Sequence, residues 1–505
     1  MRKKQNKLNV ITVFGLIAAV LLVVSAFTGC KMEAGSEEAV LSIQLQAAGG
    51  SRAVGDNVDT ARLYLISKNG AYYEFKEDTL YYEETVPGSI EVEVPAGSWT
   101  VALELGKGLT NGALLPTDYG VSPLIYITPG PSPNSVVITT GDTPFTWWEA
   151  QTGTDFNGVV TIGSDIYAST GSKLYEGTTV TDLAEISPAF NYSGYSIESI
   201  SKGTYFNISN PLEDYRNELW VNTNKGIVPL WANGFKYDFQ NTQFPVVKSG
   251  GYFDPADIPN SDPSDLTLFY KTESSFGGLD ITPDFDTQDI PEPSTWTWSN
   301  NDDFAGSFTG ELVYEFFIHG GYTYFATKIG TFRMDNSVTA TGGGDFITLA
   351  NEISIAGEEA GSAIPIYGLN LLSGDPDADT PEGSTIMMAT ESGVFTATLT
   401  GDDTVITDLK LIPGTAGKSF TKTAVSDESG TYAAAASSTG LFLFKKTASD
   451  YTAKEFPVYA GLPGSISAVE FKENSHVLVI GGKEGILSPD GGIVQIDADS
   501  SNLSW

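Results

Sequence analysis

Alternating apolar and polar residues fill the part of the chain that follows an N-terminal apolar segment. The pattern occurs in five short segments: 41–45, 61–66, 90–94, 99–105 and 136–140. A period of two with β-branched and aromatic residues is typical of strands that have one buried face. The close spacing of these segments predicts an antiparallel β-sandwich over residues 39–142, and no segment there has a helical period.

A turn-and-strand motif lies inside this predicted sandwich. The segment 94–101, Val-Pro-Ala-Gly-Ser-Trp-Thr-Val, resembles the signature of transthyretin-like and fimbrillin-like modules of secreted bacterial proteins. The resemblance implies a stalk or spacer domain, and a ligand-binding sandwich is the alternative. The Pro-rich segment 129–134 predicts a domain boundary shortly after it, near 142–144.

A second pattern recurs from residue 168 onward. It consists of a strand, a small residue, Thr or another small residue, two turn residues, Gly and a further strand. Clear copies contain Gly226, Gly330, Gly393, Gly440 and Gly485, and two looser copies contain Gly171 and Gly278. Gly suits a tight hairpin that requires a positive φ. Successive copies lie between 45 residues (Gly440 to Gly485) and 63 residues (Gly330 to Gly393) apart, which is the length of a four-stranded blade. Seven copies predict a seven-bladed β-propeller over residues 143–505.

The cleanest copy of the repeat, at 324–332, has the form Tyr-x-Ala-Thr-x-x-Gly followed by a hydrophobic strand. It resembles the propeller repeats of bacterial sensor and secreted proteins. This resemblance concerns the fold alone, because one fold hosts many functions.

A duplicated motif predicts how the propeller closes. Pro144 to Trp147 precedes an Asp-Phe-x-Gly segment, and Pro293 to Trp296 precedes a second one. The second copy lies between two predicted blades, where the outer strand of one blade leads into the inner strand of the next. The first copy is then an outer strand with no blade before it. We therefore expect residues 144–149 to complete the last blade and to leave no open sheet edge.

The N-terminus has the sequence pattern of an export signal. Four cations and no acid lie in residues 2–7, an apolar run follows at 10–27, and the only Cys in the chain is Cys30. The sequence Phe27-Thr28-Gly29-Cys30 resembles a bacterial lipobox of the relaxed spirochaete type, with Phe27 where Leu is usual. The resemblance implies a signal peptide at 1–29, an acylated Cys30 and a tether at 30–38. A transmembrane anchor is the alternative. Lys31 in place of Asp favours the outer membrane, while the side of the membrane stays open.

The amino-acid composition limits the classes of molecule that the protein is expected to bind. The chain has 505 residues, 27 Lys plus Arg, 63 Asp plus Glu and a net charge of −36. Such a chain is a poor nucleic-acid binder, because phosphate contacts need clustered cations. Anionic lipid head groups repel it as well, so acyl chains are expected to hold it at a membrane. One Cys and two His exclude disulfide frameworks and Cys-rich zinc sites within the chain.

Catalytic motifs are incomplete. Sialidases grip their substrate with three arginines, but only Arg216 and Arg333 lie in the predicted propeller, and the Asp-box-like segment 488–492 occurs once. No Gly-x-Ser-x-Gly elbow is present to meet His319 or His476. Glycan cleavage by a pair of carboxylates remains an alternative. A chain with 63 Asp and Glu residues has such a pair in any case, so the number of acids neither supports nor excludes this activity. We predict that the protein is not an enzyme.

Two further segments are candidate binding sites. Asp375, Asp377 and Asp379 alternate in one loop, as oxygen ligands of Ca²⁺ do. The rest of the segment departs from the EF-hand pattern, because Thr380 occupies the position of the turn Gly and Ile386 that of the closing Glu. The alternative to a Ca²⁺ site is therefore an acidic loop exposed to solvent. No cofactor is required. Trp298 has no counterpart among the repeats and lies in an insertion rich in Asp and Asn, which predicts a ligand-binding aromatic residue in a loop.

These observations predict an all-β, lipid-anchored protein of the bacterial envelope with an N-terminal sandwich and a seven-bladed propeller. We expect the propeller to bind an envelope protein or a glycan without catalysis. The alternatives are a propeller hydrolase that cleaves glycans with paired carboxylates, and a structural envelope protein that self-associates through an exposed apolar patch.

Overall fold

The computed structural model describes much of the chain downstream of residue 37. The described residues are 38–47, 58–73, 89–186, 196–206, 215–224, 226–231, 234–235, 248–252, 266–271, 276–282, 297–301, 313–319, 322–328, 330–335, 365–374, 382–400, 406–427, 429–448, 450–473, 475–485, 488, 490–503 and 505. Their regular structure is nearly all β, as predicted, with 3-10 turns at Glu149–Gln151, Val180–Asp182 and Val458–Ala460. Within these ranges, no helix is long and apolar enough to cross a membrane. The predicted signal peptide, Cys30 and the loop with Asp375, Asp377 and Asp379 lie outside them.

The chain divides into two compact units. The first comprises Met1–Leu105 and Tyr119–Gly141, and the second comprises Gly106–Asp118 and Asp142–Trp505. The short segment Gly106–Asp118 therefore belongs to the second unit, although the chain on both sides of it belongs to the first.

Six strands build the sheet of the first unit. They are β1 Glu38–Ala47, β2 Thr60–Ser67, β3 Ser89–Pro95, β4 Gly97–Gly108, β5 Leu114–Ile127 and β6 Gly130–Asp142. They form one sheet in the order β2-β4-β5-β6-β1-β3. The strands β1 and β3 pair antiparallel, but the prediction of an antiparallel arrangement was wrong for β1 and β6, which pair in parallel. These two strands are distant in the sequence, so no hairpin forces them to be antiparallel.

The alternating pattern of the sequence determines the core of the first unit. Leu41 and Ile43 of β1 are fully buried, as are Leu65 of β2 and Leu103 of β4, while the intervening residues of β3, such as Glu91 and Glu93, are exposed. The other side of β2 and β4 is buried too, and it holds an ion pair between Arg62 and Glu104. Charged side chains are almost never fully buried unless they are paired.

The second unit contains seven sheets among its described residues. Strand β7 is Thr146–Trp147. The first sheet holds β8 Gly158–Ile162, β9 Asp165–Ser169, β10 Leu174–Gly177 and β11 Ala184–Glu185. The second holds β12 Ile197–Phe206, β13 Tyr215–Thr223, β14 Gly226–Trp231 and β15 Gly234–Phe235. The third holds β16 Lys248–Tyr252, β17 Leu266–Lys271, β18 Phe276–Thr282 and β19 Thr297–Asn301.

The remaining four sheets follow in chain order. The fourth holds β20 Val313–His319, β21 Tyr322–Thr327 and β22 Gly330–Asp335. The fifth holds β23 Ile366–Ser373, β24 Thr385–Thr390, β25 Val394–Leu399 and β26 Ile406–Leu411. The sixth holds β27 Phe420–Val425, β28 Tyr432–Ser437, β29 Gly440–Lys446 and β30 Tyr451–Pro457. The seventh holds β31 Ser465–Phe471, β32 Val477–Lys483 and β33 Gly492–Asp497, and β7 completes it.

Successive sheets pack face to face, as the blades of a β-propeller do. Strands β20, β23, β27, β31, β8, β12 and β16, the first strands of their sheets, lie side by side in that order, and we call them the inner strands. Apolar clusters fill the spaces between neighbouring sheets: Leu372 of the fifth sheet packs with Phe420 and Phe442 of the sixth. Each blade thus buries its faces against its neighbours.

Strand β7 confirms the predicted closing strand. Its residues Trp147 and Thr146 pair with Val494 and Gln495 of β33, so a segment that precedes the first sheet completes the seventh. The indole Nε1 of Trp147 also donates a hydrogen bond of 2.9 Å to the carbonyl of Gly461.

The repeat motif forms the predicted hairpin turn in several sheets. The hydroxyls of Thr327 and Thr390 donate to the carbonyls of Gly330 and Gly393 at 2.8 Å, and Ser437 does the same for Gly440 at 3.1 Å. These three glycines have φ values of 126°, 151° and 155°. The prediction was wrong for two other glycines, because Gly278 lies inside β18 and Gly485 follows β32 in a longer connection to β33. In those two copies only the sequence spacing had matched.

Candidate functional site

Five of the inner strands contain a β-bulge at the same place. The pairing of each with the next strand skips one residue, at Glu198 in β12, Tyr314 in β20, Tyr367 in β23, Thr421 in β27 and Ser467 in β31. We call these five the bulge residues. Strands β8 and β16 pair in regular register. Bulges bend a strand and redirect a side chain, and they are common beside functional sites.

The repeat motif explains the position of the bulges. In β23 the bulge lies between the pairs Ile366 with Thr390 and Gly368 with Ala389, which are the Thr and the small residue of the repeat. A Cβ on Gly368 would lie 3.2 Å from the Cβ of Ala389. The small residues of the motif therefore make room for the bulged strand. Sequence reasoning assigned the motif to the turn alone and missed this second role.

The bulges lie at one end of the second unit, because neighbouring inner strands run in the same direction. Ser467 of β31 donates to the carbonyl of Phe156, just before β8, and Thr161 of β8 donates to the carbonyl of Phe471 at 2.8 Å. The same parallel order relates β23 to β27, where Gly368 approaches Lys422 and Asn370 donates to the carbonyl of Thr423 at 2.7 Å.

The five bulge residues share one backbone geometry but have chemically different side chains. The rings of Tyr314 and Tyr367 lie 4.8 Å apart between centroids, at an angle of 47°. Burial raises the pKa of Tyr367, and the charge of Glu391 in the neighbouring turn raises it further. Glu198 accepts a hydrogen bond from the hydroxyl of Ser196 at 2.8 Å. Aromatic rings such as those of Tyr314 and Tyr367 offer apolar faces against which a ligand can pack.

A lysine adjoins the bulge in β27. Lys422 follows the exposed Thr421, and its backbone lies against Gly368, where an added Cβ would come within 3.2 Å of the Lys422 Cα. Tyr367 precedes Gly368 in β23. The backbones of β23 and β27 therefore approach closely beside their two bulges, and no motif in the sequence indicated this approach.

The structure locates Trp298 in a strand. It lies in β19, the last strand of the third sheet, where it pairs with Ile281. Trp298 therefore lies in a strand and not in the expected loop. The ligand-binding role of Trp298 stays a prediction. The Ca²⁺ prediction at Asp375, Asp377 and Asp379 falls outside the described residues, and the described part of the chain contains no cluster of three metal-ligating side chains.

Both histidines pack against neighbouring side chains. The Nε2 of His319, at the end of β20, lies 2.8 Å from the Oγ of Ser384. This serine–histidine pair is buried, with 2% of His319 and 5% of Ser384 exposed, so a substrate could not reach it without opening the space between two sheets. His476 packs against the ring of Tyr432, with 4.9 Å between centroids.

The Asp-box-like segment has a structural contact. The carboxylate of Asp490 is 4% exposed and accepts a hydrogen bond of 2.9 Å from the backbone N–H of Leu114. Leu114 belongs to Gly106–Asp118, the segment that joins the second unit, and the side chain of Asn111 in that segment donates to the carbonyl of Thr152 at 2.8 Å. Asp490 thus secures this segment rather than facing a substrate.

Comparisons with known proteins show similarity to solved structures and no other match. No protein-family model matches the chain, and no curated protein matches it. A solved structure of YCF48 from Cyanidioschyzon merolae is 10% identical, covers 71% of this chain and 100% of its own, and has a TM-score of 0.46. PorZ, a surface component of the type-IX secretion system of Porphyromonas gingivalis, is 11% identical and covers 80% of this chain and 57% of its own, with a TM-score of 0.45. The β-propeller domain of Cps50 (Swd1) from Myceliophteria thermophila is 12% identical and covers 69% of this chain and 99% of its own, with a TM-score of 0.41.

Proposed function

We propose that this protein is an exported envelope lipoprotein whose seven-bladed β-propeller is a non-catalytic binding module. The seven sheets of the second unit support the blade count, with β7 as the closing strand of the seventh. The six strands of the first unit, which share one apolar core, are consistent with the predicted sandwich.

The five bulges are the observation on which we base the position of the binding face. Five inner strands repeat one backbone distortion but display Glu, Tyr, Tyr, Thr and Ser at it. Residues that serve packing alone keep the same character in each repeat, as the buried small residues opposite the bulges do. Varied side chains on a constant scaffold are typical of repeat proteins that bind a ligand along one face. We assign the ligand, a protein or a glycan, to this face.

The tyrosine pair offers the test of this assignment. We expect Tyr367→Ala to weaken ligand binding at least tenfold, because truncating a stacked aromatic residue commonly costs about 2 kcal/mol. The measurement compares labelled wild-type and variant protein on a glycan array and on separated envelope proteins. Tyr126→Ala is the matched control, since Tyr126 is 68% exposed and lies in the first unit.

Two results would contradict the assignment. One is the absence of wild-type binding on both panels. The other is binding that Tyr367→Ala leaves intact and Tyr126→Ala removes, which would move the site to the sheet of the first unit.

One observation favours a structural role as the second candidate function. Four of the five large exposed hydrophobic residues described lie on β5 and β6: Val121, Leu124, Tyr126 and Val137, between 45% and 68% exposed. Clustered apolar side chains on a sheet face can mediate association. Sedimentation of wild-type protein and of a Val137→Lys variant distinguishes the two, because a structural role requires a wild-type oligomer that the variant loses.

The predicted lipid anchor at Cys30 can be tested separately. We propose that acylation of this residue holds the protein at the membrane, with the outer membrane favoured. Wild-type protein is expected to incorporate a radiolabelled fatty acid and Cys30→Ala to incorporate none. Equal label in both would rule out the lipobox.

A further inference from the structure

The hairpin of β5 and β6 has an uncharged surface with exposed apolar side chains. Residues 119–141 contain no Asp, Glu, Lys or Arg, although these residues make up 18% of the whole chain. Leu124 and Tyr126 are exposed to solvent. Ile125 and Ile127, which alternate with them along β5, pack into the core of the first unit. Exposed apolar clusters of this kind mark surfaces that contact a partner or a membrane.

The tip of this hairpin lies beside the start of β1. Because β1 and β6 pair in parallel, Ala39 lies opposite Gly130. The side-chain amide of Asn134 donates hydrogen bonds to the carbonyls of Thr128 at 3.0 Å and of Val40 at 3.2 Å. Its Oδ1 accepts a hydrogen bond of 2.9 Å from the backbone N–H of Thr128. Asn134 thus holds the hairpin tip and the N-terminal end of β1 together at one end of the sheet.

The tether predicted from the sequence joins the first unit at this same end. Glu38, the first residue of β1, follows Cys30 by eight residues. An extended chain spans at most about 3.6 Å per residue, so the tether reaches at most about 29 Å. An anchor at Cys30 therefore keeps the hairpin tip close to the lipid surface.

We propose that the tip of the β5–β6 hairpin, with Leu124 and Tyr126, lies in the headgroup region of the lipid surface to which the chain is anchored. The inference rests on the proposed anchor and adds a contact surface to it. Tyrosine suits this depth, because its ring is apolar while its hydroxyl group stays hydrated. The tip residues Pro129, Pro131 and Pro133 have no N–H group, so the tip has fewer backbone donors that need water.

The charge of the chain favours an electrically neutral lipid surface as the partner. The net charge of −36 repels anionic head groups, and it also opposes the pairing of two copies through this surface. Acids border the uncharged hairpin: Glu38 begins β1, and the exposed Glu91 and Glu93 lie on β3, which β1 separates from β6. A zwitterionic lipid such as phosphatidylcholine avoids this repulsion and can accommodate the uncharged tip.

The single Cys of the chain makes a site-specific measurement of depth possible. Full-length Tyr126→Cys protein is labelled with a thiol-reactive fluorophore and reconstituted into phosphatidylcholine vesicles that contain nitroxide lipids. We expect nitroxide quenching to place the label about 5–10 Å deep, the depth that the apolar faces of surface-bound helices reach. Leu124→Cys should give the same depth, which guards against a local effect of either substitution.

Thr139→Cys is the matched control. Thr139 is exposed on the same hairpin, but it lies five residues beyond Asn134 along β6, about 17 Å farther from the tip. A label at this position should remain in water and should not be quenched.

Three results would overturn the proposal. The first is an equal degree of quenching at positions 126 and 139, or none at either. The second is a label at position 126 that is shielded from water only at high protein concentration and without quenching, because this would assign the surface to a second copy of the chain. The third is a greater depth at position 126 in phosphatidylglycerol vesicles than in phosphatidylcholine vesicles, because this would contradict a neutral lipid partner.

Labelling of the wild type distinguishes a failure of this proposal from a failure of the proposed anchor. An acylated Cys30 thiol takes up no fluorophore. If the wild type is labelled but stays on the vesicles, acylation is wrong, and Cys30→Ala combined with Tyr126→Cys then measures the depth of the tip alone. If the wild type is not labelled and position 126 is not quenched, the anchor stands and the tip contact is wrong. A wild type that does not bind the vesicles would refute both.

Discussion

Glu104→Ala is expected to lower the stability of the first unit by about 3–5 kcal/mol, because it removes the carboxylate that forms an ion pair with the buried guanidinium group of Arg62. Glu104 is 1% exposed and Arg62 is 3% exposed, and the two form an ion pair of 3.0 Å. The hydroxyl of Tyr64 donates to the same carboxylate oxygen at 3.0 Å. Burial raises the pKa of Tyr64, and the charge of Glu104 raises it further, so this tyrosine remains a donor.

Hydrogen–deuterium exchange of peptides from β2 and β4 in the full chain measures the effect, because exchange reports the free energy of local opening. Glu93→Ala in β3 is the control, since Glu93 is exposed and should change stability by less than about 0.5 kcal/mol. The double variant Arg62→Met with Glu104→Leu should recover most of the loss, because two apolar residues leave no buried charge. A loss below about 1 kcal/mol in Glu104→Ala would show that the pair is hydrated.

Trp147→Ala is expected to destabilise the seventh sheet by about 3–5 kcal/mol, the usual cost of removing a large buried aromatic side chain. Trp147 is 7% exposed, and its indole donates to the carbonyl of Gly461. A Cβ on Gly492 would lie 2.3 Å from the Trp147 ring, so the glycine and the ring fit one another closely. The variant therefore loses packing, a hydrogen bond and the anchor of the closing strand.

Thermal melts of the full chain, with exchange of β33 peptides, measure this loss. Thr146→Ala is the matched control, because Thr146 lies in the same short strand but is exposed. Its effect should stay within about 0.5 kcal/mol. Equal melting temperatures for the wild type and Trp147→Ala would contradict the closure of the seventh sheet by β7.

Local patterns in the sequence were sufficient to predict five of the six strands of the first unit, with β5 missed, and the closing strand β7. Alternation places Leu41 and Ile43 in the core because adjacent side chains of a strand point to opposite faces. The turn glycines Gly330, Gly393 and Gly440 were predictable because the turn requires a positive φ. Gly278 shows the limit of this reasoning, since a repeat spacing does not fix which glycine occupies the turn.

Contacts between distant segments could not be predicted in the same way. The parallel pairing of β1 with β6 depends on which strands meet, and alternation does not encode that choice. The joining of Gly106–Asp118 to the second unit depends on the Asp490 carboxylate, which is more than 350 residues away in the sequence. The close approach of Gly368 to the Lys422 backbone lies beside the bulges, which appear in the sequence only as small residues on the opposite strand.

Site-specific photocrosslinking tests the binding face most directly. A benzoylphenylalanine residue replaces Tyr367, Trp298 or Tyr126 in three variants of the intact protein, and each is irradiated in the cells that produce it. We expect position 367 to give the dominant adduct with a protein or glycan, position 298 to give less, and position 126 to give none. An adduct at position 126 with none at position 367 would contradict the account.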